Sequence, residues 1–109
     1  MPEAHNIETL YRLTPLQEGI LFHTLERADP GLYVGQYTCL INADLDPERL
    51  RLAWSELVRR HAVLRTLLAW KGREKPLQIV RERVELPWRY EDWRRDDEGQ
   101  IDDRWQSLI

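Results

Sequence analysis

The stretch of sequence best suited to chemistry is Arg-Arg-His-Ala-Val-Leu-Arg-Thr, residues 59–66. It places His61 and Arg65 four residues apart, on what should be the apolar side of a helix. Histidine titrates near neutral pH, and arginine is a permanent cation whose planar head group fits a carboxylate. The question is therefore whether His61 and Arg65 have a structural role in the core or a role in a functional site.

Two interpretations of this pair are open. In the first, His61 is a core histidine bonded to the backbone, and Arg65 extends to solvent from the last helical turn, where the helix dipole favours a cation. In the second, Arg65 is buried because it binds a carboxylate, a pair whose loss would cost about 3–5 kcal/mol. Spacing alone favours the first interpretation. For the second, no acidic residue here is an obvious partner, which leaves open a partner outside this sequence.

Other candidate sites are weaker. Glu8, Glu18 and His23 could be imagined as metal ligands, but Glu18 and His23 are five residues apart and share a helical face poorly, which favours surface charge. Cys39 and His61 could form a thiol nucleophile and its base, but Cys39 lies in a predicted central strand, where cysteine usually packs as a small hydrophobe. The sequence contains neither a phosphate-binding loop nor a Gly-x-Gly-x-x-Gly motif.

The composition excludes several classes of protein. The 109 residues suffice for one small domain, and 42% hydrophobic with 32% charged residues is typical of a globular chain. The net charge is −3 and no basic block stands out, so nucleic acid is not an expected partner. No apolar run is long enough to span a membrane, and no signal pattern opens the chain. We therefore expect a cytoplasmic protein without a membrane partner.

The first half of the chain predicts a lead-in, a helix and a strand. Residues 1–13 have the pattern of an extended lead-in. A helix is predicted over 14–28, with Thr14 as N-cap and Gln17 where the partner of a capping box belongs. The aromatic and β-branched residues of 33–42 predict a strand, and its weakly polar faces favour a central position.

The second half predicts two helices and a hairpin. The main helix should run over 46–66, beginning at Asp46 as N-cap. Residues 67–80 predict a β-hairpin, and 101–109 the start of a further amphipathic helix. The expected fold class is α/β, an α+β sandwich with helices packed on a mixed sheet, within a single partial domain over 1–109.

Two motifs in this order resemble a known family. Leu-Thr-Pro-Leu-Gln-Glu-Gly, residues 13–19, resembles the opening motif of the condensation domains of nonribosomal peptide synthetases. Arg60, His61, Leu64, Arg65 and Thr66 match that family's Arg-His-x-x-Leu-Arg-Thr motif. The resemblance implies a chloramphenicol acetyltransferase-like fold, in which two lobes enclose a tunnel, and it identifies this chain with the N-terminal part of the first lobe.

The resemblance also implies an activity for the parent protein. Such domains form amide bonds between aminoacyl and peptidyl thioesters, which carrier proteins present on phosphopantetheine. No cofactor is expected to bind directly, and the implied partners are carrier proteins and the remainder of the domain. The family's catalytic motif, His-His-x-x-x-Asp-Gly, is absent from this sequence. We therefore expect no catalytic residue in this chain and no condensation activity from the chain alone.

The resemblance assigns supporting roles to five residues. Arg65 matches the arginine that pairs with the aspartate of the catalytic motif, so Arg65 and His61 are expected to support the active site structurally. Thr14, Leu16 and Gln17 match the opening motif, which lies near the tunnel. In these roles the residues hold the site rather than touch substrate.

Two alternative functions are kept open. The same half-lobe could act as a non-catalytic interaction or docking module, or belong to a coenzyme A-dependent acyltransferase of the same superfamily. The residues that follow Ile109 in the parent gene would separate these alternatives from a condensation domain. Unsatisfied strand edges and an unpaired Arg65 also predict marginal stability or self-association of the isolated chain.

Overall fold

The computed structural model describes residues 4–29 and 31–109. In those residues three α-helices accompany one three-stranded antiparallel sheet, which confirms the mixed α/β fold class. Two short 3₁₀ turns, at Ala4–Asn6 and Ala62–Arg65, precede the first and second strands. The elements in chain order are β1 (Ile7–Arg12), α1 (Pro15–Arg27), α2 (Pro47–Arg60), β2 (Thr66–Ala69), β3 (Leu77–Arg81) and α3 (Glu98–Leu108).

The sheet has the order β1-β3-β2, so its last strand in sequence lies at its centre. Ile79 of β3 pairs with Leu10 on one side and Leu67 on the other. The predicted lead-in over 1–13 therefore contains an edge strand, and its first three residues lie outside the described part of the chain. This strand was not predicted because its partner is about seventy residues away, and nothing local in the sequence indicates that pairing.

The predicted hairpin is present and extends one residue beyond the limits of 67–80 at each end, from Thr66 to Arg81. β2 and β3 pair antiparallel from Thr66 with Val80 to Ala69 with Leu77. Gly72 lies in the connection with a φ of 68°, a left-handed conformation that glycine adopts without a steric penalty.

The main helix ends at Arg60, so its predicted extent of 46–66 is wrong at the C-terminal end. Asp46 is the N-cap, as predicted, and its carboxylate accepts hydrogen bonds from the amides of Glu48 and Arg49. His61 has an extended backbone, and a 3₁₀ turn follows. The helical pattern of apolar residues continues beyond Arg60, and residues 61–66 contain no glycine or proline that would stop a helix. The helix nevertheless ends, and the 3₁₀ turn lets the Arg65 side chain reach backbone carbonyls of α2 and β3. Tertiary contact thus overrides local propensity.

The predicted strand over 33–42 is also wrong. The structure has a turn ending at Tyr33 and then irregular extended chain, in which Tyr37 and Leu40 are 94% and 100% exposed. A strand needs a hydrogen-bonded neighbour, and none of the described residues pairs with this segment. Pro30, the centre of the preceding Asp-Pro-Gly turn signal, lies outside the described residues.

The last helix begins at Glu98, three residues before the predicted start of 101–109. Asp97 is its N-cap, and Gln100 completes a capping box: the Gln100 amide donates to the Asp97 carboxylate at 2.8 Å, and the Asp97 amide donates to Oε1 of Gln100 at 3.1 Å. The sequence Asp-Glu-Gly-Gln contains this capping signal, and it sets the start of the helix ahead of the apolar stripe that begins at Ile101.

The core is small and centred on β3. Its buried apolar side chains come from β3, α2, the middle of α1 and the connection between β1 and α1, namely Leu13, Leu21, Val58, Ile79 and Val80. The radius of gyration is 18.2 Å, against about 13 Å for a compact domain of 100 residues. Residues 31–46 and 82–97 contain neither helix nor strand, and much apolar side-chain surface stays exposed.

Candidate functional site

Among the described residues, Arg65 is the charged side chain that is buried in the core. Its side chain is only 7% exposed, because the 3₁₀ turn carries it from the end of α2 towards the sheet. Nε donates a hydrogen bond of 3.0 Å to the carbonyl of Val58, and Nη1 donates to the carbonyl of Arg81. The structure therefore contradicts the interpretation in which Arg65 extends to solvent, and it favours the buried-arginine interpretation.

Arg65 has a carboxylate partner within this chain. Oε1 of Glu8, on β1, lies 3.5 Å from Nη1 of Arg65. The expectation that no acidic residue of this sequence serves Arg65 is therefore wrong. Glu8 itself lies at the surface with a half-exposed side chain, as expected for a surface charge. Sequence reasoning missed this pair because β1 was not predicted as a strand, so nothing placed Glu8 beside the end of α2.

His61 is exposed, so its prediction as a hydrogen-bonded core histidine is wrong. It is the C-cap of α2, and its backbone amide donates to the carbonyl of Leu57 at 3.0 Å. The helix ends at this point, so His61 and Arg65 no longer share a helical face. The prediction that His61 supports an active site stays a prediction.

The opening motif forms the N-terminus of α1 as the capping pattern predicted. The amide of Gln17 donates to Oγ1 of Thr14 at 3.2 Å, and the amide of Thr14 donates to Oε1 of Gln17 at 2.8 Å. Leu16 is 74% exposed and does not belong to the hydrophobic core. The capping box fixes where α1 begins, directly after β1.

Gln17 has a second partner that the sequence did not indicate. Gln78 is buried in the central strand, and its Nε2 donates to Oε1 of Gln17 at 3.0 Å and to the carbonyl of Arg12 at 3.2 Å. Nε2 of Gln17 donates in return to Oε1 of Gln78 at 3.3 Å. This amide pair ties the opening motif to the sheet. The available signal was a single amide inside the apolar stretch Leu-Gln-Ile-Val, residues 77–80.

The remaining candidates do not form a catalytic group. Among residues 4–29 and 31–109, no three histidine, cysteine or acidic side chains come together as metal ligands. Cys39 is exposed in the irregular segment rather than buried in a strand. Nδ1 of His23 lies 2.6 Å from the hydroxyl of Tyr33, near the end of α1. In the described part of the chain, no helix is long and apolar enough to cross a membrane.

The exposed face of α2 carries a charge network. Glu56 accepts hydrogen bonds from Arg59 and Arg60, and these guanidinium groups lower the pKa of the Glu56 carboxyl to about 2. Arg51 likewise lowers the pKa of Glu48, one turn after the N-cap. These pairs are solvated, and pairs at this helical spacing contribute little to stability individually.

Fold and site together define part of an α+β lobe. Its sheet is contacted by both motifs: Arg65 bonds to a β3 carbonyl, and Gln17 of the opening motif pairs with Gln78 of β3. The chain belongs to the condensation domain family, whose family model matches residues 7–108. This confirms the resemblance that the two motifs indicated.

Curated relatives support the same assignment. Over 88 residues the chain is 43% identical to one of the linear gramicidin synthase proteins of Brevibacillus parabrevis, covering 81% of this chain and 2% of that protein. It is 40% identical over 74 residues to a mycosubtilin synthase protein of Bacillus subtilis, covering 68% of this chain and 3% of the relative. A malformin synthetase of Aspergillus vadensis is 37% identical over 83 residues, covering 76% and 2%. The chain thus spans only a few per cent of the length of these relatives.

Proposed function

We propose that this chain is the first part of the N-terminal lobe of a condensation domain in a cytoplasmic nonribosomal peptide synthetase. The complete domain would join two substrates held as phosphopantetheine thioesters on carrier proteins. The amine of the acceptor attacks the carbonyl of the donor thioester, an amide bond forms, the carbon–sulfur bond breaks, and the thiol takes up a proton. The observation that carries this proposal is the family match over residues 7–108.

The role proposed for this segment is support rather than catalysis. The sequence has no His-His-x-x-x-Asp-Gly motif, and the described residues offer no assembled nucleophile, base or metal site. What they offer is a rigid arginine at the end of α2, held by carbonyls of α2 and β3. In the complete domain this arginine would hold the aspartate of the catalytic motif and thereby orient the loop that carries the catalytic histidine.

The proposal is tested in the intact synthetase that carries this chain, with both carrier proteins loaded. The amide product is followed by mass spectrometry in a single turnover for Arg65→Ala and Arg65→Lys. Misplacing a catalytic group by about 1 Å costs on the order of 100-fold in rate, so we expect a loss of about that size in Arg65→Ala. Loading of the carriers and their affinity for the domain should stay at the wild-type level.

Arg49→Ala is the matched control, because Arg49 is 88% exposed and pairs only with the N-cap Asp46. It should condense at the wild-type rate. Limited proteolysis establishes that each variant is folded. Wild-type condensation in a folded Arg65→Ala protein would contradict the proposed role of Arg65, and an intact synthetase that forms no amide at all would contradict the proposed function.

A further inference from the structure

The pairing of β1 with β3 is interrupted at Glu8. Ile7 pairs with Arg81 and Thr9 pairs with Val80, so two steps along β1 match a single step along β3. Glu8 is the additional residue of a β-bulge. Bulges change the direction in which a side chain points, and they are common beside active sites.

The bulge is held on its N-terminal side by Asn6. The side-chain amide of Asn6 donates to the carbonyl of Arg83 at 3.2 Å, and its oxygen accepts from the amide of Arg83 at 3.1 Å. The carbonyl of Asn6 also accepts from the amide of Glu82 at 3.2 Å. On the other side, regular pairing resumes at Thr9. Glu8 is therefore carried on backbone that is fixed before and after it.

The contacts of Arg65 come from three elements. Nε is bonded to a carbonyl of α2, Nη1 to a carbonyl of β3, and Nη1 also faces the Glu8 carboxylate of β1 at 3.5 Å. The carbonyls are neutral, so within the described residues Glu8 supplies the only negative charge in contact with this buried cation. Among the described residues, the hydrogen bonds of the guanidinium are made by Nε and Nη1, and none is made by Nη2.

The Glu8 contact is an ion pair without hydrogen-bond geometry, and its carboxylate is half exposed while the guanidinium is buried. A carboxylate in this position steadies the guanidinium electrostatically without occupying the remaining nitrogen. Charge pairs of this kind are screened less by water when one partner is buried. The arrangement therefore fixes the plane of the Arg65 guanidinium group and leaves Nη2 without a hydrogen bond to the described residues.

We propose that Glu8 is a positioning residue for Arg65: the bulge in β1 brings its carboxylate to Nη1, and this holds the guanidinium so that Nη2 faces its further acceptor. The identity of that acceptor as the catalytic aspartate rests on the proposed function. The positioning of Arg65 by Glu8 rests only on the contacts within this chain.

The positioning is tested on the full chain by nuclear magnetic resonance, with the exchange of the Arg65 Nε–H with water as the readout. Glu8→Gln removes the charge and keeps the shape, and we expect exchange to accelerate about fivefold, because the Glu8 carboxylate is half exposed and water weakens the pair. Glu8→Asp keeps the charge on a shorter side chain and should lie closer to wild type than Gln does. Glu48→Gln is the matched control, because Glu48 pairs with Arg51 on the solvated face of α2 and should leave Arg65 unchanged.

Unchanged Arg65 exchange in a Glu8→Gln chain that retains the amide shifts of Thr9 and Val80 would overturn the proposal. So would an Asp variant that exchanges as fast as a folded Gln variant. If Glu8→Gln fails to fold, Glu8→Asp is compared with wild type instead: exchange no faster than in the wild-type chain, although the shorter side chain withdraws the carboxylate, would overturn the proposal. The same variants are then assayed in the intact synthetase. Slower condensation with unchanged carrier affinity, rescued in part by Asp, supports the link to catalysis. Faster exchange without any change in condensation upholds the positioning but contradicts the proposed function of Arg65.

Discussion

Gln17 takes part in two interactions, the capping box of α1 and an amide pair with Gln78, and their contributions to stability can be separated by experiment. Its Oε1 accepts from the amide of Thr14 within the capping box, and its amide group also forms the reciprocal pair with the buried Gln78. Gln17→Ala removes the return bond of the cap and leaves Oε1 of Gln78 without a partner, while Nε2 of Gln78 keeps the carbonyl of Arg12. Gln78 is 4% exposed, so water does not replace the lost bond readily.

The expected cost follows from these two losses. Losing a capping interaction costs about 1 kcal/mol, and leaving a buried polar group unsatisfied costs about 1–3 kcal/mol. We therefore expect Gln17→Ala to lower the free energy of unfolding by about 2–3 kcal/mol. Gln100→Ala removes the same capping-box bond at Asp97, where every partner is exposed, and should cost at most about 1 kcal/mol.

The assay is equilibrium urea unfolding followed by far-ultraviolet circular dichroism. Besides the two alanine variants it includes Gln78→Leu and the double variant Gln17→Ala/Gln78→Leu. Removing both members of a buried polar pair is far less costly than removing one, so the double variant should be more stable than Gln17→Ala by about 1–2 kcal/mol. Equal losses in Gln17→Ala and Gln100→Ala, or strictly additive effects of Gln17→Ala and Gln78→Leu, would refute this account of the amide pair.

Two further predictions concern charge and association. Because the folded pKa of Glu56 is lowered to about 2 from its ordinary value of 4.5, its contribution to stability is complete above pH 4.5 and is lost as the pH falls towards 2. A carboxyl-carbon titration should show this low pKa at low salt and a rise in Arg59→Ala/Arg60→Ala, whereas an ordinary pKa at low salt would contradict it. The exposed apolar side chains and the open edges of β1 and β2 predict that the isolated chain self-associates. Sedimentation velocity should show a sedimentation coefficient that increases with concentration, and a monomer at every concentration would count against this.

Local signals predicted local structure well. The helix N-termini at Thr14 and Asp46 lie where the capping residues and the following prolines indicated, because these hydrogen bonds join residues two or three positions apart. The hairpin over β2 and β3 has the same basis, since a short polar connection joins two apolar runs. In each case the interacting partners lie within one window of sequence.

Pairing over long distances in sequence was not predictable from these signals. β1 is a strand because it lies against β3, and 33–42 is not a strand because the described residues give it no neighbour, although its composition is the more typical of a strand. The period of α2 continues past Arg60, but the burial of Arg65 beside β3 ends the helix. Strand formation and helix termination here depend on contacts that a single-sequence pattern does not contain.

The candidate site shows the same division at the level of single residues. The sequence and the family resemblance singled out Arg65 and Gln17, because both lie within recognisable motifs. Their partners, Glu8 and Gln78, lie 57 and 61 residues away and belong to no motif, and each reaches its partner only through the sheet. A buried cation and a buried amide both need compensation, so the burial of Arg65 and Gln78 implies such partners before they are identified. The sound inference from sequence was that Arg65 requires a carboxylate. The unsound step was to conclude that this chain holds no carboxylate for Arg65, since strand pairing can bring a distant residue of the same chain into contact.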